Sequence, residues 1–169
     1  MAELTENRWS KWNSIFIIFV FLLTAVCSTT YSQQSQERTV RPTLLVKTRQ
    51  LNNYEHDFLS FANANKGTDE FQTAIDFINI ASKYEDRISA VLDLIDVYDE
   101  VTCKPDRSRI KGIIETKIRK YADGIDDDVE LLNLGLGITK SPGIAATGTR
   151  FKEDLRNLKT VLHAIELKP

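Results

Sequence analysis

The chain has 169 residues, of which 42% are hydrophobic and 27% charged, and its formal net charge at pH 7 is −2. This length fits one domain behind a short leader, and the hydrophobic share is sufficient for a single core. The nearly balanced charge argues against bulk nucleic-acid binding, which needs a basic surface.

The N-terminal part carries the most apolar segment of the chain, residues 15–26. A spanning helix needs about 20 apolar residues, so this shorter run is more typical of a signal peptide. Arg8 and Lys11 precede the run and no base follows until Arg38, which indicates a cytoplasmic N-terminus. We predict that residues 1–32 are a signal peptide, and that the rest works outside the cytoplasm as a periplasmic or secreted protein.

Two alternatives for this leader stay open. Trp9 and Trp12 resemble interfacial anchors, so residues 1–32 could instead remain as an N-terminal membrane anchor that tethers the protein to the membrane. Cys27 follows a stretch that resembles a lipoprotein signal, although Val26 stands where that signal has a small residue. Lipidation of Cys27 is therefore the second alternative.

Residues 33–43 are polar and show no periodicity, so we expect a tether there and a helical bundle domain over residues 44–169. The first helix is predicted from Leu44 to Asn65, with Gly67 as its left-handed C-cap. Thr68 then suits the N-cap of the next helix, because its hydroxyl can accept a hydrogen bond from one of the first free N–H groups of that helix.

The next helix has apolar residues at a 3–4 spacing from Phe71 to Val101, without glycine or proline. This spacing predicts one long central helix. The same seam could pack within the chain or mediate self-association through residues 71–102.

Residues 69–100 hold nine acids, whereas residues 104–120 hold seven bases. We therefore expect an antiparallel hairpin in which these opposite charges face each other.

The remaining chain is predicted to hold helices over Asp106–Ala122, Val129–Leu136 and Thr149–Leu167. The acids of residues 126–128 would open the short middle helix. No window alternates with a period of two, so the fold class is all-α, a bundle of four or five helices with one long central helix.

Residues 131–149 contain four of the seven glycines and a single charge. We interpret this stretch as a long apolar connection on the bundle, which would expose apolar surface. Leu134, Leu136, Ile138 and Ile144 are accordingly predicted to contact a partner or ligand.

No catalytic residue, cofactor site or metal site is expected. A phosphate loop would need glycine directly before Lys140, where Thr139 stands, and the spacing of an EF-hand is absent from residues 123–130. His56 and His163 fit no zinc or di-iron pattern. Cys103, the single cysteine after the leader, is predicted to be buried or inert.

These observations favour an exported or membrane-tethered, non-catalytic helical interaction protein of the cell envelope, such as an adaptor, an accessory protein or an inhibitor-like module. It would have a protein partner, contact the membrane through its N-terminal segment and bind no nucleic acid. A binder of a small apolar ligand or lipid within the bundle is the alternative, and an enzyme ranks third.

Overall fold

The computed structural model describes residues 40–167, and these form α-helices without any strand. The helices are α1 (residues 40–64), α2 (Asp69–Glu100), α3 (Lys104–Ile138) and α4 (Pro142–His163). The prediction of an all-α bundle is confirmed for this part of the chain. The predicted signal or anchor segment, residues 1–32 with Cys27, lies outside the described residues. Residues 40–43, which were predicted to belong to the polar tether, are part of helix α1.

Neighbouring helices run antiparallel around the bundle. Arg41 of α1 pairs with Asp96 near the end of α2, whereas Phe58 of α1 contacts Phe77 near the start of α2. In the same way, Arg107 at the start of α3 packs on Tyr98 near the end of α2. Helix α4 completes the bundle, because it contacts both α3 and α1. The arrangement is an up-and-down four-helix bundle.

The centre of the bundle is an aromatic cluster contributed by three helices. Phe58 of α1 lies with its ring centroid 5.2 Å from Phe77 of α2 and 5.7 Å from Phe151 of α4. The Tyr54 ring packs at a tilt against Phe151, and the Tyr54 hydroxyl donates a 2.6 Å hydrogen bond to Asp154. Because tilted and edge-on ring pairs are favourable, this cluster holds α1, α2 and α4 together beyond the burial of apolar area alone.

α3 is one unbroken helix of 35 residues, so the predicted break after Ala122 and the separate helix Val129–Leu136 are wrong. Gly124 lies inside the helix, beside the Tyr84 and Arg87 side chains of α2. The acids of residues 126–128 lie inside it too, and two of them, Asp126 and Asp128, pair with lysines of other helices rather than cap a helix start. The bundle therefore has two long helices rather than one, because packing against α2 offsets the helix-weakening effect of glycine.

α4 begins at Pro142, seven residues before the predicted start at Thr149. Ser141 is its N-cap, and the Ser141 hydroxyl accepts a hydrogen bond from the Ile144 N–H. Proline fits the first helical position because an N–H group there would have no partner within the helix. Only residues 139–141 join α3 to α4. The predicted long connection over residues 131–149 is therefore wrong.

Three residues in the α1–α2 and α2–α3 connections show mixed agreement with the sequence. Gly67 has φ +82°, which confirms the predicted left-handed cap. The Thr68 hydroxyl, however, donates a hydrogen bond to the Asn65 carbonyl, and it accepts no hydrogen bond from the first N–H groups of α2. Cys103 lies in the α2–α3 turn and is exposed, so the expectation of a buried thiol is wrong.

The α2–α3 hairpin forms as predicted, but an ion pair between its two helices has the polarity opposite to the expected one. Lys83, a base of the acidic helix, pairs with Asp128, an acid that follows the basic stretch. Within the basic stretch, Lys111 pairs with Glu115 of the same helix. The expected attraction between the two oppositely charged stretches is not what these contacts show.

Candidate functional site

An open groove of about 590 Å³ runs between α2 and α3 on the outside of the bundle, and we call it the α2–α3 groove. From α2 it is lined by Thr73, Asp76, Phe77, Asn79, Ile80 and Lys83. From α3 it is lined by Asp128, Leu131, Leu134, Gly135 and Ile138. Its volume is typical of ligand sites, but it lies on the surface and not within the core.

The floor of the groove depends on Gly135. A Cβ atom at this position would lie 2.7 Å from Cε1 of Phe77, which is closer than real Cβ contacts. Phe77 is itself buried, so its ring has little room to move. The absence of a side chain at position 135 therefore lets α3 approach the aromatic core and shapes the bottom of the groove.

The outer wall is a row of aliphatic side chains on α3. Leu131, Leu134 and Ile138 are 54%, 65% and 70% exposed. They follow one another at spacings of three and four residues, so they share one face of the helix. Neighbouring exposed large hydrophobic residues of this kind mark interaction surfaces in soluble proteins.

The four residues predicted to contact a partner lie in different surroundings. Leu134 and Ile138 are on the groove wall. Leu136 packs against the core beside Gly148, and Ile144 is fully buried in the core at 0% exposure. The structure thus brings Leu134 and Ile138 together, and adds Leu131, which the sequence analysis missed although it has the same 3–4 spacing.

One end of the groove is polar. Asp128 is 3% exposed and accepts hydrogen bonds of 2.6 and 2.8 Å from the Lys83 Nζ atom and of 2.6 Å from the Tyr84 hydroxyl. Burial, followed by the hydrogen bond to Asp128, raises the pKa of Tyr84, so this hydroxyl keeps its proton and remains a donor. The Arg87 guanidinium lies 5.0 Å from the Tyr84 ring centroid. Asp128 therefore joins α3 to Lys83 and Tyr84 of α2.

The other end is tied by Glu70, in the first turn of α2. Its carboxylate accepts hydrogen bonds from the Thr139 hydroxyl and the Lys140 N–H. These bonds, that of Thr139 first, lower the pKa of Glu70. Glu70 therefore fastens the α3–α4 connection next to Ile138 while it is ionised.

The rim of the groove is acidic. Asp76 lines the groove and is exposed, and its carboxylate accepts a hydrogen bond from Gln72, which adds no positive charge. Asp127 is exposed four residues before Leu131, on the same face of α3. Lys83, the base that lines the groove, is already bound to Asp128. The groove therefore combines an apolar wall with negative charge that no base in its lining offsets.

The described helices contain neither a cluster of metal ligands nor a helix that could span a membrane. Among residues 40–167, no group of three or more His, Cys, Asp and Glu side chains is arranged to hold a metal ion. In the same range, no helix has the length and apolarity needed to cross a membrane. No known family model, curated protein or solved structure matches the chain.

Proposed function

We propose that this protein is a non-catalytic helical interaction protein of the cell envelope that binds a protein partner through the α2–α3 groove. It would act outside the cytoplasm, exported or tethered by residues 1–32, as an adaptor, an accessory protein or an inhibitor-like module. The observation that carries the proposal is the row of Leu131, Leu134 and Ile138, more than half exposed on one helix face.

In-cell photo-crosslinking tests the use of the groove. A photoreactive amino acid replaces Leu134 in one strain and Leu59 in another, because Leu59 is also half-exposed but lies on α1, which does not line the groove. We expect one defined protein adduct from position 134 and none from position 59. Equal crosslinking from both positions, or none from position 134, would contradict the proposal.

The predicted location has its own test, the intact mass of the natively produced protein in membrane and soluble fractions. A soluble species that begins near Thr29 or Gln33 is expected if the leader is a cleaved signal peptide. A membrane-bound species that retains Met1 would mean a tether, and added acyl chains on Cys27 would mean a lipoprotein.

A second candidate function is the binding of a small apolar ligand or lipid, and the volume of the groove favours it. Sites for such ligands have volumes of about 300–1,000 Å³, and the α2–α3 groove has about 590 Å³. Native mass spectrometry of the purified protein would then detect a bound compound of defined mass. Replacing both Leu134 and Ile138 with alanine should release it.

A further inference from the structure

We infer that the partner of the α2–α3 groove is an amphipathic helix whose apolar stripe is flanked by lysine or arginine. This inference rests on the proposed function and specifies the chemistry of the partner. Its basis is the combination of an apolar row at helical spacing with an acidic rim.

The shape of the groove fits a helix. Leu131, Leu134 and Ile138 repeat the 3–4 spacing of a helix–helix seam, but no helix among residues 40–167 covers them. From Leu131 to Ile138 the wall rises roughly 10 Å along the axis of α3, which corresponds to about two turns of a partner helix. On the α2 side, buried Phe77 and Ile80 lie at the base of the groove, and Asp76 and Asn79 are its exposed lining residues.

The charge of the groove selects the flanks of that helix. Asp76 lies on the α2 side of the apolar row, and Asp127 lies at the N-terminal end of the row on α3. Asp69 lies seven residues before Asp76 on the same side of α2. The Lys83 ammonium is already paired with Asp128. A basic partner would therefore be attracted along the α2 side and at one end of the row, and an acidic one repelled.

The same charges argue against a second copy of this chain in the groove. A symmetric pair of α2–α3 grooves would bring together two surfaces that both carry the negative charges of Asp76 and Asp127. Like charges at an interface disfavour association. A basic helix from another protein avoids this repulsion and covers the same apolar row.

Two synthetic peptides provide the test. Both carry the same leucine stripe at a 3–4 spacing, flanked by lysine in one and by glutamate in the other. Each is titrated by fluorescence anisotropy against the protein as the cell produces it. We expect the lysine peptide to bind at least about tenfold more tightly at low salt, and this preference to shrink as salt screens the rim.

Variants link the result to the groove. Replacing Asp76 and Asp127 together with asparagine should abolish most of the preference for lysine, since both side chains are exposed and the fold does not depend on them. Leu134→Ala with Ile138→Ala should weaken binding of the lysine peptide at least about tenfold. Leu59→Ala, on α1, should leave binding unchanged.

The outcomes separate this inference from the proposed function. If position 134 crosslinks a protein in cells but the two peptides bind equally, or neither binds, the basic-helix inference is overturned and the proposed function stands. If a fluorescent fatty acid binds and neither peptide does, the groove is a small-ligand site and the inference falls. If no crosslink forms and neither peptide binds, both fall.

Discussion

Asp128 illustrates how strongly one residue of this bundle depends on its surroundings. It lies within a run of acids, yet it is buried while Asp127 beside it is exposed. Its carboxylate satisfies the Lys83 ammonium and the Tyr84 hydroxyl at the same time. Burial of a carboxylate is tolerated when such partners replace its water.

Asp128→Ala should therefore lower the free energy of unfolding by about 2–4 kcal/mol, because the buried Tyr84 hydroxyl loses its acceptor and Lys83 loses its charge partner. Urea unfolding followed by circular dichroism measures the change. Asp127→Ala is the matched control and should change stability by less than about 0.5 kcal/mol. Equal effects of the two substitutions would mean that the Asp128 contacts do not stabilise the fold.

Unlike Asp128, which pairs with a lysine, Glu55 lies near other acids: it is on α1 close to Glu85 and Asp86 of α2. Burial, and then the charge of Glu85, raise the pKa of the Glu55 carboxyl. The folded state therefore disfavours ionised Glu55. The resulting loss of stability is absent below the ordinary carboxyl pKa and complete above the raised pKa.

Glu55→Gln should accordingly stabilise the protein at neutral pH, by up to about 1 kcal/mol because the side chain is only partly buried. At about pH 3, where carboxyls are protonated, the gain should vanish. The unfolding free energies of both proteins across this pH range provide the measurement. A constant difference at all pH values would show that ionisation of Glu55 is not the cause.

At the scale of the element, glycine has two different effects within α3. Gly135 allows the helix to approach Phe77, whereas Gly137, two residues further along, has no atom within 4 Å of a would-be Cβ. The same residue type is therefore required for packing at one position and is only a source of backbone flexibility at the other. A glycine-rich segment of sequence does not separate these two cases.

Gly135→Ala should destabilise the protein by about 1–3 kcal/mol, because the new methyl group overlaps the buried Phe77 ring. Gly137→Ala, the matched control, should stabilise it by about 0.5–1 kcal/mol, since alanine is the better helix former. Thermal unfolding of the two variants decides the matter. A stabilising Gly135→Ala would mean that the groove floor can adjust to a side chain.

At the scale of the whole molecule, the seam of α2 is used within the bundle. Its apolar residues from Ala74 to Tyr98 are largely buried against the other helices, with Val97 as a half-exposed exception. Exposed Cys103 is the single thiol of the described residues and takes part in no disulfide. The bundle therefore needs neither a second copy nor a covalent link to bury its core.

We expect the urea midpoint of unfolding to be independent of protein concentration over a hundredfold range, because unfolding of a monomer does not depend on mass action. Added reductant should leave the midpoint unchanged. The readout is circular dichroism in parallel titrations. A midpoint that rises with concentration would indicate self-association, the role that the sequence left open for residues 71–102.

The helical class, the α2–α3 hairpin and the cap at Gly67 could all be predicted from the sequence, because apolar periodicity and the φ preference of glycine are local properties. It also drew attention to Leu134 and Ile138. Three features became visible in the folded bundle alone: α3 continues through Gly124, Ile144 is buried, and Asp128 differs from its neighbours. Each of these depends on which side chain of another helix lies opposite, such as Phe77 or Tyr84, and that information is not contained in the local pattern.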